Sequence, residues 1–131
     1  MKFLCLIYAE EAAVQRLPAR EADALYEECL GLCDELEAQG RLLASEKLAG
    51  VDTATTLRIR QGKVSITDGP FAETKEQLAG FYLIEAAGLH EALHIAARIP
   101  PARVGSIEVR PVLDLHGERP RAERPTEAHS V

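Results

Sequence analysis

Apolar and polar positions alternate along this chain in blocks that change period. Residues 2–8, Lys-Phe-Leu-Cys-Leu-Ile-Tyr, are apolar at almost every position. A strand of that kind is covered on both faces and therefore central in its sheet. Residues 18–38 switch to helical spacing, with Leu25, Cys29, Leu32, Cys33 and Leu36 on one stripe and acids filling the rest. Pro18 suits the first turn of that helix, and Gly40 suits the position just past its end. Residues 41–48 form a short strand. Residues 53–60 and 63–67 form a hairpin across Gln61-Gly62, with Leu57, Ile59, Val64 and Ile66 apolar and Thr56, Arg58 and Arg60 on the other side. Gly80 to Glu85 is again apolar on both faces. Leu89 to Ile99 reads as a second helix with Leu89, Ala92, Leu93, Ala96 and Ala97 buried, ended by Pro100-Pro101. Residues 104–112 are the last strand, with Ile107 and Val109 on one face and Ser106, Glu108 and Arg110 on the other.

The order strand, helix, strands, strand, helix, strand predicts an α+β protein: a ferredoxin-like sandwich, an antiparallel sheet with two helices on one face. Two helices cover only one face, yet the first and fifth strands are apolar on both. A second copy of the chain is the expected cover, which predicts a homodimer. The length of 131 residues fits one domain over residues 1–115. From residue 116 the composition is Arg, Glu, Pro, Ser and Thr, which predicts a disordered C-terminal tail over 116–131.

Charge and cysteine content narrow the function classes. The formal net charge is −6, and the acids concentrate between Glu10 and Glu37. There nine acids against two arginines leave −7, so no basic stripe exists for nucleic acid. No apolar run approaches the roughly 18 residues of a membrane span, and the opening strand lacks the form of a signal peptide. These features predict no membrane partner and a cytoplasmic location. Cys5, Cys29 and Cys33 read as reduced, small core residues. His90 and His94 are one turn apart but have no visible third ligand, so no metal and no cofactor are expected.

The segment Thr67-Asp68-Gly69-Pro70-Phe71-Ala72-Glu73-Thr74-Lys75-Glu76 is the most informative. Asp68 before Gly69-Pro70 either caps a turn by accepting backbone N–H bonds or is aimed into a pocket as an acid or base. Gly69 permits an unusual backbone angle and Pro70 stiffens the turn. This segment resembles the signature of the DGPF branch of the YCII-related family. Lys2–Tyr8, Ala54–Lys63, Gly80–Glu85 and Gly105–Pro111 resemble that family's flanking blocks in the same order. The resemblance covers roughly residues 1–113.

The resemblance implies a dimeric α+β barrel and a functional link to extracytoplasmic-function sigma factors. It assigns no reaction. In the YCII branch it implies a histidine on the first helix paired with an aspartate. Here histidines stand only at 90, 94, 116 and 129, so that dyad is absent.

The candidate site is therefore Asp68 as catalytic group, with Arg58, Lys75, Glu108 and Arg110 binding a small polar metabolite at the homodimer interface. Gly69, Pro70, Phe71, Glu73, Thr74 and Glu76 shape the motif. Arginines there suit a carboxylate or phosphate. The alternative is a non-catalytic binding or regulatory module tied to a sigma-factor pathway.

Overall fold

The computed structural model describes residues 1–115, so the expected tail lies outside the described residues. Strand β1 (Lys2–Ala9) leads into a short helix α1 (Glu11–Gln15) and a long helix α2 (Ala19–Ala38). Then follow β2 (Leu42–Lys47), the hairpin β3 (Thr55–Arg60) and β4 (Lys63–Asp68), and β5 (Gln77–Glu85). Helix α3 (Leu89–Ala96) and β6 (Gly105–Pro111) complete the described chain. Four strands form one antiparallel sheet in the order β2-β5-β1-β6, and β3-β4 form a separate two-stranded sheet. That order, with both main helices against one face, is the ferredoxin-like arrangement expected from the pattern. The hairpin is an insertion between its second and third strands.

Alternation along the two central strands decides what each face does. Phe3, Cys5, Ile7 and Ala9 of β1 and Tyr82 and Ile84 of β5 are buried towards the helices. They meet Leu32 and Leu36 of α2 and Ala92, Ile95, Ala96 and Ile99 on and just after α3. Burying each large apolar side chain contributes about 1.5–3 kcal/mol, which more than offsets the weak intrinsic helix preference of residues such as Cys33. Burial also pushes the Cys5 thiol up to about 11, so it stays protonated inside the core. Leu4, Leu6 and Tyr8 of β1 and Phe81 and Leu83 of β5 point to the opposite face and stay half-buried. No helix among the described residues covers that outer face.

Three sequence expectations change. Residues 11–15 form a helical turn that the pattern did not reveal, because its five residues carry no buried side chain. The buried stripe of α3 is Ala92, Ile95 and Ala96, whereas Leu89 and Leu93 are half-exposed. The helix is rotated so that its stripe continues into Ile99 beyond its end. Finally, only the C-terminal half of the α2 stripe joins the core, Leu32 and Leu36 within it and Cys33 packed against it; Leu25 and Cys29 stand over a cavity that Cys33 also borders.

No described helix is long and apolar enough to cross a membrane.

Candidate functional site

The turn after β4 is built by backbone rather than by the Asp68 side chain. Gly69 N–H donates to the Ala54 carbonyl at 2.7 Å, and Thr56 Oγ1 donates to the Gly69 carbonyl at 2.8 Å. Gly69 has φ +105°, a region that L side chains rarely adopt. The Asp68 carboxylate is exposed and makes no hydrogen bond or ion pair among the described residues, so the capping expected of it is done by its neighbours. Gly69→Ala is accordingly expected to lower stability by about 1–3 kcal/mol and Asp68→Asn by less than half of that. Equilibrium urea unfolding of both variants measures the difference, and equal midpoints would show that the turn tolerates a side chain.

The remaining motif residues divide between the hairpin and the main sheet. Arg58 Nη2 donates to the Phe71 carbonyl at 3.3 Å, which ties β3 to the motif. The Phe71 ring itself is 76% exposed. Pro70, Glu73 and Lys75 are also exposed. Thr74 Oγ1 donates to the Glu76 carbonyl at 2.6 Å, and the Glu76 carboxylate accepts a hydrogen bond from Ser106 Oγ at 2.8 Å. Ser106 lies on the outer face of β6 with Glu108 and Arg110, and those two form an exposed ion pair at 3.1 Å. The motif thus reaches the polar rim of the outer face through Glu76, while Asp68 sits at the base of the hairpin and Arg58 midway along it.

A cavity of about 430 Å³ lies on the other side of the sheet, under the N-terminal half of α2. Neither Asp68, Arg58, Lys75, Glu108 nor Arg110 lines it. Its walls are Ile7, Val14, Leu17, Leu25 and neighbouring apolar groups, and its outer edge carries the exposed Tyr26 and Leu30. Residues of α1 and β2 line this end of the cavity along with α2 and the sheet. Glu11 anchors α1 beside it: its backbone N–H donates to Gln77 Oε1 at 2.9 Å, and its carboxylate accepts from Val51 N–H at 2.9 Å. Part of the floor is Gly80, where an added Cβ would stand 2.5 Å from the Glu46 carbonyl, so a side chain there would push β2 away from β5.

Polar groups converge at one end of this apolar space. Tyr82 OH lies 3.5 Å from the Cys29 carbonyl, and Cys33 Sγ lies 3.9 Å from Ser45 Oγ. Burial, with Cys33 and then Cys29 beside it, pushes the Tyr82 phenol above its ordinary value, so it remains a protonated donor. Burial is also the main cause holding the Cys29 thiol up. Cys33 and Glu28 add to the rise, while the Tyr82 hydroxyl and the Lys47 ammonium oppose it. Cys29 is therefore a neutral cavity group rather than a ready nucleophile.

The sequence signal for this site was the cysteine-bearing half of the α2 stripe, which reads equally well as core. The His90 and His94 rings are 4.8 Å apart and edge-on, and His90 and His94 are exposed. The described residues contain no group of three or more His, Cys, Asp or Glu side chains able to hold a metal.

Comparison with known proteins adds two findings. The YCII-related domain family matches residues 1–116. An uncharacterized protein of Rhizobium meliloti (strain 1021) is 37% identical over 123 residues, which covers 92% of this chain and 99% of that relative.

Proposed function

The chain belongs to the YCII-related family, and on that footing we propose that it is a small-molecule-binding protein, its ligand held in the cleft between α2 and the sheet. The observation that carries this reading is the cavity of about 430 Å³, apolar along its walls and polar at one end. Ligand pockets are typically about 300–1,000 Å³ with this combination of lining groups. A pocket of that kind inside a chain of this size has a stability cost in lost packing contacts, which a ligand would offset.

A ligand that binds only the folded state raises stability, by about 2.7 kcal/mol at a hundredfold excess over its Kd. A thermal-shift screen of small metabolites is expected to find compounds that raise the melting temperature by several degrees. Ala22→Phe, which fills the cavity, is expected to abolish the response. A parent protein that answers to no compound, or a filled variant that responds like the parent, would overturn the reading.

The protein works, in the same proposal, as a homodimer of the DGPF branch. Support for the branch is the run Thr67–Glu76. Support for the dimer is the uncovered apolar outer face, together with the hairpin, whose Leu57, Ile59, Val64 and Ile66 are 57–65% exposed on one side. An isolated two-stranded hairpin is marginal in water, so an apolar hairpin face calls for a cover.

A second reading sets a small polar metabolite at the homodimer interface, with Asp68 as acid or base and Arg58, Lys75, Glu108 and Arg110 as its partners. The observation favouring it is the Ser106–Glu76 hydrogen bond beside the Glu108–Arg110 pair on the outer face. Under this reading Asp68→Asn removes ligand-induced stabilisation without unfolding the protein; an unchanged response in that variant excludes it. A non-catalytic regulatory role tied to an extracytoplasmic-function sigma-factor pathway is what the resemblance leaves if neither site takes a ligand.

A further inference from the structure

We propose that the cavity under α2 takes a mainly apolar ligand bearing a carboxylate, whose anionic end pairs with Lys47. This rests on the cavity reading above and adds the chemistry of the ligand.

The argument begins with strand register. Ser45 is opposite Tyr82, Glu46 opposite Phe81 and Lys47 opposite Gly80. Cross-strand partners share a face, so Ser45 and Lys47 turn towards α2 with Tyr82, while Glu46 turns to the outer face with Phe81. Glu46 consequently borders the cavity through its backbone, the same carbonyl that a side chain at position 80 would strike. Lys47 is then the one side-chain charge that the described lining residues present to the cavity.

That charge has no counter-ion among the described residues. The ion pairs near this end of the molecule are elsewhere: Glu28 pairs with Arg103 at 2.5 Å, and Glu35 pairs with Arg98 at 2.6 Å. Lys47 forms none. Lys47 is exposed at the edge of the cavity, where its field at Cys29 opposes that of Glu28. The same face of the sheet carries neutral hydrogen-bonding groups, Ser45 and Tyr82, which suit the second oxygen of a carboxylate. Beyond them the walls are aliphatic and aromatic, which suits a hydrocarbon body. An amine would meet an ammonium here, and Glu28, the acid whose field reaches Cys29, is already paired with Arg103. A neutral ligand would leave Lys47 to the solvent.

Three probes with one apolar body separate these cases: 4-phenylbutyrate, 4-phenylbutanamide and 4-phenylbutylamine. Each is titrated calorimetrically at low ionic strength into the full chain, Lys47→Met and Lys47→Arg. The carboxylate is expected to bind at least about tenfold more tightly than the amide, the gain usual for a charge-assisted hydrogen bond. The amine is expected to bind most weakly. Lys47→Met is expected to bring the carboxylate down to the amide's affinity without changing the amide, and Lys47→Arg to retain the preference. Equal binding of carboxylate and amide, or a preference that survives in Lys47→Met, overturns the inference and leaves the cavity reading standing. Binding of none of the three to the parent chain overturns both.

Discussion

Leu36→Ala is expected to cost about 2–5 kcal/mol, the range for truncating a fully buried leucine. Leu36 is 0% exposed and sits where α2 meets the sheet, in one cluster with Phe3, Ile84 and Ile99. Removing its three outer carbons forfeits the transfer free energy of those groups. It also leaves a void that neighbours on two rigid layers cannot fill.

Leu25, on the same helical stripe, provides the contrast. It borders the cavity rather than the core, so Leu25→Ala enlarges an existing space and is expected to cost less than half as much. Urea unfolding followed by circular dichroism gives both values. Similar losses at the two positions would mean that α2 packs evenly along its length and that the cavity is closed in solution.

That contrast also marks what the sequence could tell. The periodicity of residues 18–38 located the helix and its inward stripe, because hydrophobic spacing is a local property of the chain. It could not say that the stripe meets two different environments. The approach to α2 is anchored by Glu11 to Val51 and Gln77, 40 and 66 residues further along the chain, and these residues carry no shared pattern.

The α3 stripe shifted for a related reason. Leu89 and Leu93 match the helical period as well as Ile95 and Ile99 do, and only the approach of β6 and β1 decides which pair is buried. The Asp68-Gly69-Pro70 turn was legible in its glycine, since a positive φ is a backbone property that residue type reports directly. The job of Asp68 was not legible, because Thr56 and Ala54 hold the turn from β3 and its approach. The cavity residues, Lys47 and Tyr82 above all, were missed because neither residue type is unusual on a strand. Their convergence follows from register between β2 and β5.

In the proposed homodimer, Phe81→Asp is expected to leave a folded monomer. Phe81 lies at the middle of the outer sheet face, opposite Leu6 on β1 and opposite Glu46 on β2, with Leu4 and Leu83 alongside. Within one chain that face is half-buried only, so an aspartate there meets water and the fold tolerates it. In the proposed homodimer the same patch would meet itself across a two-fold axis, and each copy would contribute its own substitution. Two carboxylates would then be enclosed among apolar side chains with no paired cation, at several kcal/mol each, with mutual repulsion added. Phe81→Leu keeps the face apolar and is expected to remain dimeric.

Light scattering coupled to size exclusion at micromolar concentration measures the mass of all three proteins, and far-ultraviolet circular dichroism checks that the aspartate variant is folded. A monomeric parent, or an aspartate variant that stays dimeric, would show that this face is not the one two copies share. The hairpin supplies the next test in the second case, because Ile66→Asp then disrupts the dimer where Phe81→Asp does not. Ile66 is 65% exposed beside Leu57 and can be charged without touching the core.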